Sequence, residues 1–342
     1  MPYYRAVAQA AAAAPERIGV LLVNLGTPDA PTYLSVQRFL REFLGDRRVI
    51  DTSRWLWLPI LYGIVLPLRP IQSARNYRQI WMQEGSPLVV YTKRLQGKIE
   101  RRLHEVLGDR VRVALGMTYG GPSIDAAIRA LVEQNVKRLL VLPLFPQYCS
   151  STTGSVLDRA VRALRRLRWL PEIRFVNGYY ADPGYAEALA ARIEEHWAPG
   201  GERSHLVLSY HGVPVAYEDR GDPYRAQAEA TTRMVASRLN LEEGEWSHCY
   251  QSRFGPVSWL QPYTRDTLKA LAARGVRKLT VVSPSFAVDC LETLHEVAIE
   301  YAEEFLKSGG ERLSLVPALN DDDRHAEVLV SVVRHRLGGW IS

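Results

Sequence analysis

The sequence predicts an α/β protein built from two similar doubly wound lobes, each with a small parallel sheet. The main observation is an internal repeat, in which residues 127–141 match residues 267–281 at an offset of 140. Each copy has the pattern of a helix, a short turn and a buried strand. A second match, at an offset of 186, pairs residues 22–28 (LVNLGTP) with 208–214 (LSYHGVP). Two halves built from the same succession of strands and helices predict two Rossmann-like lobes. Lobes of this kind bind ligands at the carboxyl ends of their strands.

Short apolar runs and amphipathic stretches place the elements in order along the chain. Strands are predicted near residues 18–24, 111–117, 139–144, 173–177, 205–210, 246–250, 278–283 and 313–317. Helices are predicted near residues 33–44, 71–82, 92–107, 123–134, 155–168, 182–196, 223–239, 262–274, 290–307 and 323–337. We therefore expect a first lobe over 15–150, joined by a C-terminal helix at 323–340, and a second lobe over 151–322.

The two offsets differ by 46 residues, so the first half contains an insertion. The apolar stretch 55–68 lies inside it and has fourteen residues with two prolines, which is too short and too interrupted to span a bilayer. We expect an apolar lip around residues 50–70 that covers the crevice rather than filling a sheet core.

Composition indicates a globular protein, with 47% hydrophobic and 23% charged residues. The three cysteines are too few and too widely spaced for a disulfide framework or an iron–sulfur cluster, which favours a reducing, cytoplasmic location. The alanine-rich stretch 6–14 follows a single arginine and is interrupted by Gln9, which favours a frayed tail or short helix over a signal peptide.

Charge is distributed unevenly along the chain. Residues 38–112 hold fifteen Lys and Arg against seven Asp and Glu, whereas residues 287–323 hold two against ten. The two regions suit an anionic and a cationic partner, such as a dicarboxylate or an anionic membrane and a divalent metal. The basic region contains no recognisable nucleic-acid module, so no nucleic-acid partner is expected.

Two segments carry the predicted chemistry. Residues 209–214 (SYHGVP) follow one buried strand, and residues 289–296 (DCLETLHE) follow another after a break. Both loops would open at the carboxyl edge of the second sheet, where His211 and Glu292 would face each other. Imidazole and carboxylate together suit a borderline divalent cation such as ferrous iron.

These segments and the motifs around them resemble ferrochelatase, which inserts Fe²⁺ into protoporphyrin IX to form protohaem in the last step of haem biosynthesis. The resemblance runs nearly end to end in the family's order. It includes VNLGTP (23–28), FLREFL (39–44), GSP (85–87), PQY (146–148), STTG (151–154), YQSRFGP (250–256), WLQPYT (259–264) and ALN (318–320). It implies the chelatase fold, a crevice between the lobes, and the bacterial type of enzyme without an iron–sulfur cluster.

The resemblance also implies residue roles. His211 and Glu292 would bind the metal and act in catalysis with Glu296. Porphyrin would be bound through its propionates by Arg69, Tyr77 and Ser86 and enclosed by Leu25, Tyr119 and Trp259. Fe²⁺ would be a substrate, with no permanently bound cofactor. Thr118 stands where some relatives have an arginine, so a role tied to that arginine does not transfer.

The acidic segment after residue 291 is predicted to be an α-helix. On a helical period, Glu292, His295, Glu296, Glu300 and Glu303 share one face. This face is either a route for cations and protons or an exposed acidic stripe.

Two other functions stay open at this point. A cobalt chelatase of the sirohydrochlorin type shares the fold plan, although additional histidines are usual there. A non-catalytic haem- or porphyrin-binding protein is the second, although it would not need both His211 and Glu292. Peripheral contact with an anionic membrane or with neighbouring haem-pathway enzymes is a further expectation.

Overall fold

The computed structural model describes residues 3–4, 15–198 and 203–341, so the stretch 6–14 lies outside the described residues. The chain divides into two compact units. The first comprises the described parts of 1–145, 150–178 and 321–342, and the second comprises those of 146–149 and 179–320.

Four parallel strands form the sheet of the first unit, in the order β2-β1-β3-β4. They are β1 (Arg17–Asn24), β2 (Val111–Met117), β3 (Val136–Pro143) and β4 (Glu172–Phe175). The helices of this unit are α1 (Tyr33–Leu44), α2 (Arg54–Ile60), α3 (Leu66–Ile80), α4 (Pro87–Leu107), α5 (Ile124–Glu133), α6 (Ser155–Leu164) and α12 (Asp323–Arg336), with π-helical turns at Leu61–Val65 and Ser150–Gly154. All but the first residue of β1 are buried, as expected of a parallel strand covered on both faces.

The second unit repeats this topology, with the strand order β6-β5-β7-β8. Its strands are β5 (His205–His211), β6 (Trp246–Gln251), β7 (Lys278–Val282) and β8 (Arg312–Leu315). Its helices are α7 (Pro183–Trp197), α8 (Val215–Asp219), α9 (Tyr224–Arg238), α10 (Thr264–Ala273) and α11 (Ala302–Lys307), with a long π-helix at Glu292–Tyr301. The prediction of two doubly wound parallel sheets is confirmed.

The repeat at an offset of 140 is also confirmed in the structure. Helix α5, a turn and β3 in the first unit correspond to α10, a turn and β7 in the second. Each turn contains a residue in the left-handed region, Asn135 at φ 64° and Gly275 at φ 87°. Asparagine and glycine are the residues that best tolerate this backbone conformation. The repeat therefore preserves the turn as well as the elements on either side.

Strand pairing corrects the predicted boundary between the lobes. Residues 151–178 belong with the first unit because β4 pairs with β3. The predicted boundary at residue 150 assigned them to the second. Helix α12 also lies in the first unit, where Lys98 on α4 donates a hydrogen bond to the Asp321 carbonyl at 2.6 Å.

The apolar insertion is more regular than predicted. It consists of α2, the π-turn Leu61–Val65 and α3, so the helix predicted over 71–82 begins earlier. Trp57 lies within the predicted apolar lip but is buried, with its indole nitrogen donating to the Leu44 carbonyl at 2.8 Å. Trp55 is 93% exposed, in a set with Leu56, Tyr62, Ile64, Leu68 and Ile71. The insertion is therefore amphipathic. Nowhere in the described chain is there a helix with the length and apolar character needed to cross a membrane.

Candidate active site

His211 is the last residue of β5, at the point where the topology of the second sheet reverses between β5 and β7. In doubly wound sheets, ligands bind at this switch point. The half-buried imidazole places Nδ1 2.7 Å from the carbonyl oxygen of Gly212. A carbonyl can only accept, so Nδ1 carries the proton and Nε2 keeps its lone pair. Nε2 is therefore the atom that can bind a metal or accept a proton.

Gly212 is required by the close approach of two strand ends. Its N–H donates to the Gln251 carbonyl at 2.8 Å. A β-carbon at this position would lie 2.7 Å from that carbonyl oxygen and 3.3 Å from Cε3 of Trp259. Any larger residue would push β5 away from β6 and displace the preceding histidine.

Gln251 is buried at the end of β6 and links the other parts of the site. Its side-chain oxygen accepts hydrogen bonds from Ser209 at 2.8 Å and from Ser283, which follows β7, at 3.4 Å. Its side-chain nitrogen donates to the Glu292 carbonyl at 3.0 Å and to Oε2 of Glu296 at 3.3 Å. One amide thus connects the ends of three strands to the first turn of the π-helix.

The segment that carries Glu292 is a π-helix rather than the predicted α-helix. Two side-chain contacts within it also span five residues: the Tyr301 hydroxyl to Glu296 at 2.8 Å, and Nδ1 of His295 to Glu300 at 3.3 Å. The predicted α-helical geometry is therefore wrong for Glu292–Tyr301, and the predicted stripe is uneven in burial, from the buried His295 to the exposed Glu300. π-Helical turns are rare and often occur at functional sites.

Glu296 is held by hydrogen-bond donors on both carboxylate oxygens. Oε1 accepts from the Ser252 N–H at 2.9 Å and from the Tyr301 hydroxyl at 2.8 Å, and Oε2 accepts from the Ser252 hydroxyl at 2.5 Å. Burial, and then the Glu296 charge, raise the pKa of Tyr301 far above its usual value, so that tyrosine remains a donor. Glu296 therefore fixes the π-helix to the end of β6.

A buried carboxylate anchors the chain just before the π-helix. Asp289 accepts from the Asn320 amide at 2.7 Å, from the Thr293 hydroxyl at 2.9 Å and from the Ala318 N–H at 3.2 Å. Burial raises the pKa of Asp289 above its ordinary value. Asn320 adopts a left-handed backbone at φ 49°. This network ties the loop after β8 to the base of the π-helix.

Glu292 begins the π-helix and is half-buried. Its carboxylate adds to the effect of burial in raising the pKa of the Cys290 thiol, which therefore stays neutral. The structure thus brings His211, Gln251 and Glu292 into one connected group at the carboxyl edge of the second sheet. No cluster of three or more His, Cys, Asp and Glu side chains suited to a metal occurs among the described residues, so the predicted metal ligands remain a pair.

Trp259 forms a β-bridge with Pro214, in the loop that follows His211. Its indole nitrogen is buried and has no hydrogen-bond partner among the described residues. It therefore offers an unused buried donor.

The predicted porphyrin residues of the first unit fall into two groups. The Leu25 carbonyl, just after β1, accepts a hydrogen bond from the Tyr119 N–H at 2.9 Å, and the Ser86 hydroxyl donates to the Thr27 hydroxyl at 3.0 Å. The chain segments that carry Leu25, Ser86 and Tyr119 are therefore connected by hydrogen bonds. Arg69 and Tyr77 both lie on α3, the first exposed and the second buried. Tyr119 has no exposed surface, because Phe39, Phe43 and Arg159 surround its ring.

Sequence reasoning did not assign roles to Gln251, Ser252 or Asp289, although all three lie inside quoted motifs. The signal available was their position: the first two end or follow a predicted strand, and Asp289 opens the acidic segment. A polar residue at the end of a parallel strand is a candidate for the site.

Comparison with known proteins identifies the family of this fold and site. The family model described as Ferrochelatase matches residues 17–337. A protein named Ferrochelatase from Photobacterium profundum is 47% identical over 322 residues, covering 94% of this chain and 98% of the relative. A Ferrochelatase from Thioalkalivibrio sulfidiphilus is 48% identical over 326 residues, covering 95% of this chain and 88% of the relative.

Solved structures give the same fold. The structure titled SirB from Bacillus subtilis with Fe3+ superposes with a TM-score of 0.58 at 12% identity, covering 94% of this chain and 95% of that one. At this identity, the similarity shows the fold alone.

Proposed function

The chain belongs to the ferrochelatase family, enzymes that insert ferrous iron into protoporphyrin, and we propose that His211 and Glu292 carry out this insertion here. The observation that carries the proposal is the orientation of His211. Its Nδ1–H donates a hydrogen bond to the Gly212 carbonyl, which leaves the Nε2 lone pair for the reaction. The relatives' names do not favour a cobalt chelatase or a porphyrin-binding protein without activity.

The proposed chemistry exchanges one metal ion for two protons. Fe²⁺ is bound by Nε2 of His211 and the carboxylate of Glu292, ligands that both suit it. As iron bonds to the pyrrole nitrogens, two N–H bonds break and their protons pass to these bases. Glu296 serves as a positioning residue, since its four donors occupy both oxygens.

We propose that the remaining predicted residues bind the porphyrin. Arg69, Tyr77 and Ser86 supply donors to the propionates, with guanidinium best matched to a carboxylate. Leu25, Tyr119 and Trp259 supply apolar contacts to the macrocycle, and the unused indole N–H of Trp259 supports a polar contact as well. Some of the side chains that cover Tyr119 must move away before its ring can contact the macrocycle.

The decisive test uses the purified protein with Fe²⁺ and protoporphyrin IX under anaerobic conditions. We expect the absorbance of free porphyrin to fall as that of protohaem rises. A stable porphyrin complex that never takes up iron would contradict the proposed activity, and faster Co²⁺ insertion into sirohydrochlorin would favour the other chelatase class.

We also propose that the outer face of α2 and α3 contacts an anionic membrane from the cytoplasmic side. Exposed apolar side chains at Trp55, Ile64 and Leu68 share this segment of the chain with the exposed cation Arg75. Such a combination is typical of helices that lie in a lipid interface. The three buried free thiols support a reducing compartment.

Flotation with anionic liposomes tests this surface. We expect binding that weakens as salt increases and is lost in Trp55→Ser, which changes a side chain with little packing to lose. Flotation that is equal for Trp55→Ser and the parent would contradict the proposal. A failure to float at all would leave a protein partner, such as a neighbouring haem-pathway enzyme, as the occupant.

A further inference from the structure

A basic cavity lies in the first unit, away from the residues assigned to iron. Its volume is about 380 Å³, and it is bounded by α6, the first turn of α5 and the end of β2. Three arginines line it: Arg159, Arg162 and Arg166. Arg159 and Arg162 are one helical turn apart on α6, and Arg166 follows the end of that helix. The cavity is therefore lined on one side by closely spaced guanidinium groups.

Two of these guanidinium groups have no anionic partner in the part of the chain that the structure describes. Arg162 makes no hydrogen bond or ion pair within the described residues. Arg159 packs over the ring of Tyr119, with its guanidinium carbon 4.5 Å from the ring centre, and its buried Nε has no hydrogen-bond partner there. By contrast, Arg166 donates to the Tyr3 carbonyl at 3.0 Å. A buried N–H of a cation without an acceptor is costly, which indicates that an acceptor is supplied from outside.

The two carboxylates in the cavity wall are already engaged. Asp125 lies 3.4 Å from Nε of Arg129, on the same face of α5. Glu42 accepts a hydrogen bond from the Gly120 N–H at 3.2 Å. Neither carboxylate forms an ion pair with Arg159 or Arg162 among the described residues. Three guanidinium groups against two carboxylates leave the cavity wall with a net positive charge, which favours an anionic ligand.

The remaining wall adds donors rather than acceptors. Ser123 caps α5 by accepting the Ala126 N–H at 3.2 Å, and its hydroxyl hydrogen is left to donate. The positive end of a ten-residue helix reinforces the preference for an anion.

We propose that this cavity binds a small anion that carries phosphate. Residues 159 and 162 are separated by about 4.5 Å along the helix axis, a spacing that one tetrahedral anion with several oxygens can bridge. The volume lies at the lower end of small-molecule sites, about 300–1,000 Å³, and is larger than a single phosphate needs. A pyrophosphate or a small phosphate monoester fits both the charge and the size.

The test is calorimetric titration of the whole protein with pyrophosphate, without iron or porphyrin, so that its outcome is independent of the proposed activity. We expect binding that weakens with salt, and an affinity about tenfold lower in Arg162→Gln, as expected for one charge-assisted contact. Arg162 is exposed, so this change should leave the fold intact. Arg162→Lys should give an intermediate affinity.

The matched control is Arg165→Gln, which removes the same charge from an exposed arginine outside the cavity. This variant should bind pyrophosphate as the parent does. No binding at millimolar pyrophosphate, an equal loss in Arg165→Gln, or tighter binding of succinate than of pyrophosphate would each overturn the proposal.

Discussion

The two units share one scaffold but present different chemistry at equivalent positions. Both sheets have the same strand order, and in both a π-helical turn follows the third strand of the unit. Strand register makes Leu25 of the first unit equivalent to His211 of the second. The first π-turn has the sequence SSTTG, whereas the second contains Glu292, His295 and Glu296. The fold therefore supplies the geometry twice, and of these two π-turns and strand ends only those of the second unit carry imidazole and carboxylate groups.

Glu292→Gln should have the largest effect among the acidic residues. The change removes a ligand and base while keeping the size of the side chain, so we expect kcat to fall about 10²–10⁴-fold. Glu303→Gln is the matched control, because Glu303 is exposed on α11, where it pairs with the exposed Lys307 at 3.4 Å. Equal rates for the two variants would show that the second unit's carboxylates are interchangeable.

Glu296→Gln should reduce turnover less, by about tenfold or more, because it acts through the position of the π-helix. An amide cannot accept all four hydrogen bonds that the carboxylate accepts. We expect kcat to fall with little change in porphyrin affinity measured by fluorescence. Glu300→Gln, one π-helical turn on and more exposed, serves as the control and should mainly raise the iron concentration required.

Gln251→Leu should lower both turnover and stability. The variant removes the hydrogen bonds that Gln251 makes to the Ser209 and Ser283 hydroxyls and to the Glu292 carbonyl, at a cost of about 2–4 kcal/mol in the free energy of unfolding. Gln147→Leu is a control in the same unit, where a buried glutamine donates to Thr231 at 2.9 Å. Denaturation and kinetics together decide the matter: a stability loss with unchanged kcat in Gln251→Leu would reduce that residue to a structural role.

A half-buried histidine should make the second unit sensitive to acid. His248 on β6 is equivalent to the apolar Leu115 on β2. Burial, and then Arg225 and Arg233, lower the pKa of His248 to about 4. In the unfolded chain its pKa is near ~6.5. Its stabilising effect is therefore complete above about pH 6.5 and is lost as the pH falls from there towards 4, by up to about 3 kcal/mol.

Urea denaturation at pH 8 and pH 5 checks this dependence. His248→Asn should reduce the loss of stability between the two pH values, and the exposed His335→Asn on α12 should leave it unchanged. The free energy of unfolding will still fall somewhat between pH 8 and pH 5 in both variants, since burial also lowers the pKa of His196 and His205. If His248→Asn lost as much stability between the two pH values as the parent does, His248 would not be the source of the acid sensitivity.

The repeat explains how much the sequence could predict. Apolar runs fix parallel strands, and the matching segments at 127–141 and 267–281 predicted the shared topology. The boundary at residue 150 was wrong because β4 pairs with the strand before it, a long-range choice that local periodicity does not encode. The helix over 290–307 was predicted, but its π-helical turn depends on contacts such as Glu296 with Ser252, which lie far apart in the sequence. The role of Gln251 was not predicted for the same reason, because its hydrogen-bond partners also lie far from it in the sequence.

The equivalence of His211 and Leu25 provides the most direct test of the central claim, that the metal chemistry belongs to the second unit. The measurement is the anaerobic rate of iron insertion into protoporphyrin IX by His211→Ala and Leu25→Ala, with porphyrin affinity measured in parallel by fluorescence. We predict that His211→Ala loses about 10²-fold or more of kcat while still binding porphyrin, and that Leu25→Ala keeps kcat and binds porphyrin more weakly. Near-normal insertion by His211→Ala, or an equal loss of kcat in both variants, would contradict the account.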